Sequence, residues 1–285
     1  MTEQRSKSAE QRPHDRITAA IVAANQRGDT AIVAFLTAGY PKRDQFRAQL
    51  MAIGAAADVV EIGVPFTDPM ADGMTIQRSS EGALAQGVSL RWLLSELETM
   101  QRPPAPLVLM SYLNPLLAFG FEQLPAAARR AGVCGFIVPD LPYDEGEEFR
   151  AALAAQGLAL IQMVTPVTTP QRLADIAAVS QGFLYAVTMT GTTGKAVAVP
   201  AEVTTYLDRV TAVSPVPVCA GFGIRSAAQV SKLQSHVAGV IAGSAPVEVL
   251  AQGGDPAAFR SIPFSQRSRP WSGSLVSPIG RCSKP

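Results

Sequence analysis

The chain alternates between two hydrophobic periods along most of its length. Short apolar or β-branched runs recur every ~20 to 30 residues, separated by stretches rich in Ala, Leu, Glu and Arg with helical spacing. The runs predict eight strands, at residues 30–38, 59–64, 107–112, 135–139, 158–164, 182–188, 216–220 and 239–242. Helices are expected at residues 15–26, 43–57, 90–100, 121–131, 144–155, 170–179, 201–212 and 227–236.

This order predicts eight βα units. Strands that are apolar nearly throughout, as in LVLM and GVIAG, are typical of a parallel sheet whose outer face is covered by helices. Eight such units favour closure into an α/β fold with a single domain, the (β/α)₈ TIM barrel. An open, doubly wound sheet is the alternative. No Gly-x-Gly-x-x-Gly follows the first strand, which disfavours the dinucleotide-binding form of that fold.

The two ends of the chain depart from the pattern. Residues 1–14 form a polar, charged leader that we expect to be disordered, and the barrel is expected over residues 15–260. Residues 261–285 are interrupted by proline, serine and arginine, which break any helical period. The sequence therefore predicts an irregular C-terminal tail.

Composition excludes several classes of function. The 285 residues are 47% hydrophobic and 16% charged, so the chain can bury a large core. A net charge of +1 supplies no general field that would attract nucleic acid or an anionic membrane. No run of about 18 apolar residues occurs, and the polar start has no hydrophobic region behind it. We expect a cytoplasmic protein that binds neither nucleic acid nor membrane.

The residue types that most often bind metals or form covalent intermediates are scarce. The three cysteines are far apart, and there are only two histidines, which disfavours a disulfide framework, a zinc site or a histidine-based triad. None of the five lysines lies in a predicted strand, so a Schiff-base aldolase is not expected. Carboxylate acid–base catalysis without a metal or cofactor remains.

Carboxylates occur where the active site of such a barrel is expected, at the carboxyl ends of the strands. Glu61 lies inside an otherwise apolar second strand, where a charge is costly unless it is paired or functional. Asp68 and Asp72 follow on a loop restricted by proline and glycine, although loop capping alone could explain either one. Asp140 ends the fourth strand, where an N-cap is at least as good an interpretation as catalysis.

Glycine-rich turns follow the last three strands. They are GTTG at 191–194, GFG at 221–223 and GS at 243–244, the last before a short apolar helix. Glycines allow close backbone approach and helix N-termini offer free N–H groups, so loops after strands seven and eight commonly bind phosphate. The sequence thus indicates a small phosphorylated substrate. The segment after residue 191 is also long enough to close as a lid.

Six segments in order resemble the tryptophan synthase alpha chain family. They are AFLTAGYP (34–41), ADVVEIGVPFTDPMADG (57–73), MSYLNPLLAFG (110–120), GFIVPDLPYDE (135–145), GFLYAVTMTGTTG (182–194) and AGFGI (220–224). The match covers about residues 15–255. The family usually ends in an amphipathic helix packed on the barrel, and this sequence loses that pattern after residue 260.

The resemblance implies a lyase of tryptophan biosynthesis. Family members are TIM barrels that cleave indole-3-glycerol phosphate to indole and glyceraldehyde 3-phosphate. They pass the indole to a beta chain that carries PLP, in an α₂β₂ heterotetramer, and need no cofactor themselves. By resemblance, Glu61 is the catalytic acid–base residue, and Asp72 is the carboxylate that meets the indole N–H.

The resemblance also assigns residues around the substrate and the partner. It implies substrate contacts from Tyr185, Thr193 and Phe222, with Thr193 as the lid threonine. The phosphate would lie among Gly194, Gly223, Gly243 and Ser244, and Asp68 and Asn114 would face the beta chain.

Three alternatives stay open at this point. The chain could be a lyase that releases free indole without a partner, or a catalytically silent subunit that only activates a beta chain. Retention of Glu61 and Asp72 disfavours the silent subunit, whereas the unusual tail keeps it open. An unrelated phosphate-binding barrel isomerase would require the six matched segments to be coincidental.

Overall fold

The computed structural model describes residues 12–188, 200–221 and 227–258. The predicted tail at 261–285 and leader residues 1–11 lie outside this part. The strands within it are β1 (Ala31–Thr37), β2 (Val59–Gly63), β3 (Leu107–Met110), β4 (Val133–Ile137), β5 (Ala159–Ile161), β6 (Met163–Val164), β7 (Leu184–Val187), β8 (Val218–Gly221) and β9 (Gly239–Ala242). The helices are α1 (Pro13–Gln26), α2 (Phe46–Ala56), α3 (Met74–Leu84), α4 (Leu90–Thr99), α5 (Leu113–Phe119), α6 (Leu124–Arg130), α7 (Glu147–Ala155), α8 (Pro170–Ala178), α9 (Ala201–Val213), α10 (Ala227–Leu233) and α11 (Ser244–Ala251), with 3₁₀ turns at Arg43–Gln45 and Tyr143–Glu145.

The strands form one parallel sheet that closes on itself. Their order is β5-β4-β3-β2-β1-β9-β8-β7-β6, and every paired neighbour is parallel. The two outer members, β5 and β6, are separated only by Gln162, so they are two parts of one strand, the first paired with β4 and the second with β7. The eight-stranded barrel is therefore confirmed, and the open doubly wound sheet is excluded.

Alternate residues of each strand pack on opposite faces of the barrel wall. In β1, Val33 and Phe35 belong to a cluster that also contains Tyr185 of β7 and Cys219 of β8, two strands that do not pair with β1. Only the barrel interior brings such residues together. The intervening residues of β1 pack outward against the surrounding helices. Because both faces are buried, the strands are apolar throughout rather than alternating.

The first helix closes the amino end of the barrel. Ile17 and Ile21 are fully buried in the interior cluster. His14 Nδ1 lies 2.9 Å from the Gly157 carbonyl oxygen, and Asn25 Nδ2 donates to the Ala238 carbonyl at 2.8 Å. The helix begins at Pro13, so His14, which the sequence analysis placed in the polar leader, is a buried residue of the first helix.

Two helices, α3 and α5, were not predicted from the sequence, and their composition and length explain why. Helix α3 buries only Ser79, Ser80 and Ala83, and small or polar residues do not produce an apolar period. Helix α5 has seven residues, too few for its spacing to register as helical. No helix in the described ranges is long and apolar enough to cross a membrane.

Candidate active site at the carboxyl end of the barrel

Glu61 is the acid that the barrel interior buries most completely among the described residues. It lies on β2 in register with Phe35 of β1 and Val108 of β3, and its side chain is 2% exposed. One carboxyl oxygen, Oε2, has no hydrogen-bond partner within the described part of the chain. Burial raises the pKa of Glu61 to about 8, and the nearby charge of Asp72 adds to the rise. Near neutral pH this carboxyl therefore holds a proton.

Asp72 lies on the loop between β2 and α3, close enough for its charge to act on Glu61. Its backbone carbonyl accepts a hydrogen bond from Gln77 Nε2 at 2.8 Å, so the first turn of α3 holds this part of the loop. Burial raises the pKa of Asp72 to about 6, and the nearby hydroxyl of Tyr112 opposes that rise. The pair thus offers one protonated and one ionised carboxyl near pH 7.

Tyr112, which the sequence analysis did not single out, connects two loops of the site. It follows β3 and is 5% exposed, and its ring lies 5.3 Å from that of Phe66. Its hydroxyl accepts a hydrogen bond from the Ala71 N–H at 2.9 Å, which places it beside Asp72, and its proximity lowers the pKa of the Asp72 carboxyl. Its position in the sequence could have identified it as a site residue, because a polar group that follows a strand lies on the same rim of the barrel as the other strand ends.

Asp140 has a structural role in the described residues. Both of its carboxylate oxygens accept from the Leu113 N–H, at 2.9 and 3.1 Å. This contact satisfies a free N–H at the start of α5, in the neighbouring loop. Of the two interpretations left open by the sequence, helix capping is therefore the one that the contacts support. The capped helix is the preceding α5 rather than the turn that follows Asp140.

Tyr185 lies on β7 and reaches the same interior as the two carboxyls. It is 4% exposed, and burial, followed by the charges of Glu61 and Asp72, raises its pKa well above the ordinary value. Its ring occupies the space beside Gly221 of β8, where a Cβ would overlap the Tyr185 ring and hydroxyl. Glycine at that position therefore makes room for the tyrosine inside the barrel.

The remaining predicted residues fall into three groups. Gly243 follows β9 and Ser244 begins α11, so the free N–H groups of that helix face the carboxyl end of the barrel. Asp68 and Asn114 are exposed, on the β2–α3 loop and in the first turn of α5. The residues that lie outside the described ranges are Thr193, Gly194, Phe222 and Gly223.

Within the described residues, no group of three or more His, Cys, Asp or Glu side chains is placed to hold a metal ion. What the described interior offers is a pair of carboxyls with unlike pKa values and a tyrosine within reach of their charges. Such a pair can donate a proton to one atom of a substrate while stabilising positive charge on another.

Comparison with known proteins identifies the family. The family model described as tryptophan synthase alpha chain matches residues 21–262. A tryptophan synthase alpha chain from Nitratidesulfovibrio vulgaris is 44% identical over 246 residues, covering 86% of this chain and 96% of the relative. The corresponding protein of Deinococcus radiodurans is 39% identical over 254 residues, covering 88% of this chain and 94% of the relative.

Solved structures agree with the sequence relatives. A structure of Mycobacterium tuberculosis tryptophan synthase superposes with a TM-score of 0.78 at 34% identity, covering 87% of this chain and 95% of that one. A tryptophan synthase subunit alpha from Legionella pneumophila superposes with a TM-score of 0.76 at 28% identity, covering 86% and 94%. The chain therefore belongs to the tryptophan synthase alpha chain family and is a lyase that cleaves indole-3-glycerol phosphate in tryptophan biosynthesis.

Proposed function

We propose that Glu61 and Asp72 divide the acid–base work of this cleavage. The observation that carries the proposal is their placement together in the barrel with pKa values on either side of neutral, about 8 for Glu61 and about 6 for Asp72. A protonated Glu61 is ready to act as an acid, and an ionised Asp72 is ready to hold a cationic nitrogen.

The reaction needs three events at three atoms. Glu61 donates its proton to C3 of the indole, and the positive charge that develops on the ring nitrogen is stabilised by the Asp72 carboxylate. The Glu61 carboxylate then removes the proton of the glycerol hydroxyl next to C3. As that oxygen forms the aldehyde, the carbon–carbon bond breaks and its electron pair restores the aromatic ring. Indole serves as its own electron sink, so this step uses no cofactor in this chain.

We propose that the loops after β7, β8 and β9 bind the phosphate group of the substrate. The backbone of Gly243 and the N-terminus of α11 at Ser244 offer N–H groups to a phosphate, which a helix dipole also favours. Gly194 and Gly223 are proposed to complete the phosphate site. Tyr185, Thr193 and Phe222 are proposed to contact the rest of the substrate.

The partner we propose is a tryptophan synthase beta chain that carries PLP, in an α₂β₂ complex in the cytoplasm. Asp68 and Asn114 are exposed on adjacent loops beside the site, where a partner could receive indole directly. Apolar side chains accompany them, because Met70 is 84% exposed and Leu117 is 50% exposed. Exposed apolar groups next to polar ones are typical of a protein interface.

We expect indole release from indole-3-glycerol phosphate by the purified chain to be slow alone and faster with a tryptophan synthase beta chain. The measurement is indole formation in both conditions, with glyceraldehyde 3-phosphate determined as the second product. Equal, rapid release without the partner would instead indicate a free-standing indole lyase. A folded chain that is inactive in both conditions, yet activates the beta chain, would indicate the silent subunit.

The pH dependence of kcat/KM should be bell-shaped. Activity should rise with pH as Asp72 ionises near pH 6 and fall as Glu61 loses its proton near pH 8, because the free enzyme needs one group ionised and the other protonated. The two limbs belong to the coupled pair rather than to isolated groups. Steady-state cleavage rates between pH 5 and 9 measure the profile. Activity that keeps rising to pH 9 would contradict a protonated Glu61 as the acid.

A further inference from the structure

The Tyr112 hydroxyl is held beside Asp72. It accepts a hydrogen bond from the N–H of Ala71, the residue before Asp72, at 2.9 Å, and its proximity lowers the pKa of the Asp72 carboxyl. Because a tyrosine hydroxyl has a single proton, accepting from Ala71 leaves that proton free to face Asp72. The phenol remains protonated, since burial and the charge of Asp72 raise the pKa of Tyr112 above its ordinary value.

The tyrosine is itself held from two sides. Phe66, at the start of the β2–α3 loop, lies against its ring with the centroids 5.3 Å apart. The next residue, Leu113, donates its N–H to Asp140 after β4. Segments that follow three neighbouring strands thus fix the position of the phenol, and the phenol in turn holds the loop backbone directly before Asp72.

We propose that Tyr112 is a positioning residue for Asp72. By accepting the Ala71 N–H, the Tyr112 hydroxyl holds the adjacent loop backbone and so fixes the Asp72 carboxylate in the orientation that receives the indole N–H. The inference rests on the proposed role of Asp72 and adds a residue to it. Catalytic carboxylates on loops need such support, because a displacement of about 1 Å can cost about 100-fold in rate.

The test is the Tyr112→Phe variant, assayed for cleavage between pH 5 and 9. Loss of the hydroxyl removes the neighbouring group that lowers the pKa of Asp72, so the acid limb should move upward by about one pH unit. The other titratable groups that face Tyr112 or Asp72 in the described chain are Glu61, Asp140 and Tyr185, and the variant retains all three. At pH 7, kcat should fall about 10- to 100-fold with a smaller change in KM.

The matched control is Tyr206→Phe. Tyr206 is also 5% exposed, and its hydroxyl also makes a hydrogen bond to the backbone, to the Val164 carbonyl at 2.9 Å, but it lies on α9 in an outer cluster. Both variants lose one buried hydroxyl, so a structural effect should lower Tm in both. Only the variant at position 112 should move the acid limb. An unmoved limb in Tyr112→Phe, with kcat within twofold of the control, would overturn the inference.

A second substitution serves if Tyr112→Phe does not fold. Replacing Tyr112 with 3-fluorotyrosine keeps the hydroxyl but makes it a stronger donor, so the acid limb should move to lower pH, whereas fluorination at position 206 should leave it in place. An unmoved limb would count against the inference.

Asp72→Asn separates the two proposals. If that variant stays active, the role of Asp72 fails, but if it is inactive and Tyr112 substitutions have no effect, only the positioning role fails.

Discussion

Glu61→Gln should reduce kcat for indole-3-glycerol phosphate cleavage by about 10²- to 10⁴-fold, the usual contribution of a general acid–base group. The amide has nearly the shape of the carboxyl, but it has no acidic proton for indole C3 and cannot accept one from the glycerol hydroxyl. Single-turnover indole formation measures the loss directly. Glu96→Gln is the control, because Glu96 pairs with Arg47 on the surface and should leave kcat within about twofold.

Relative to the parent chain, the Glu61→Gln variant should also become more stable to unfolding as pH rises. The pKa of Glu61 is about 8 in the folded chain against an ordinary 4.5, so between these values the folded state keeps a proton that the unfolded state has lost. Stability of the parent chain therefore decreases as pH rises from about 4.5 to 8, by a few kcal/mol in order of magnitude. The amide of the Glu61→Gln variant does not titrate, so the variant lacks this dependence.

Thermal unfolding at pH 5 and pH 9 measures this second effect. The Tm of Glu61→Gln relative to the parent chain should rise by several degrees between the two pH values. A Tm difference that stays constant with pH would show that Glu61 does not carry a raised pKa. Cleavage at more than a tenth of the parent rate would remove Glu61 from the proposed mechanism.

Asp72→Asn should lower kcat/KM by about 10²- to 10³-fold, the typical cost of losing one group that stabilises charge in the transition state. The amide keeps the size of the side chain, but it supplies no negative charge to the indole nitrogen. The pKa of Glu61 should also fall while staying above its ordinary value, because burial is its larger cause and the charge of Asp72 the smaller.

Two measurements check this prediction. Cleavage kinetics give the rate, and carbon-13 NMR of labelled glutamate gives the titration of Glu61. Asp68→Asn is the matched control, an exposed aspartate on the same loop, and it should leave cleavage by the isolated chain within about twofold. An Asp72→Asn variant within tenfold of the parent rate, or a Glu61 pKa that does not fall, would contradict the proposed arrangement of the two carboxyls.

The family and the barrel could be predicted from the chain because both depend on local patterns. Glu61 attracted attention as the charged residue in an apolar strand, and the structure buries it in the barrel interior. Residues 30–38 and 239–242 were predicted close to the observed β1 and β9 because short apolar runs between turns specify buried strands. The roles of Glu61 and Asp72 in catalysis remain predictions.

Tyr112 and Asp140 illustrate what could not be predicted. Asp140 ends the fourth strand but caps α5, which precedes it in the chain by about one βα unit. Tyr112 carries no pattern of its own, and its contact with the Ala71 N–H, beside Asp72, depends on the heights at which β2 and β3 end. Such contacts follow from the register of neighbouring strands, which no local window of the sequence records.

Local patterns in the chain are enough to specify eight buried strands with helices between them, an acid inside one strand and glycines after the last three strands. Each of these is a local matter of burial or backbone freedom. Two features depend on the tertiary structure instead. The ring closes at the strand that Gln162 interrupts, and the register of the strands sets which groups meet on the rim. Tertiary structure also sets the unlike pKa values of Glu61 and Asp72, because desolvation and the approach of two carboxyls exist only once distant segments enclose the same space.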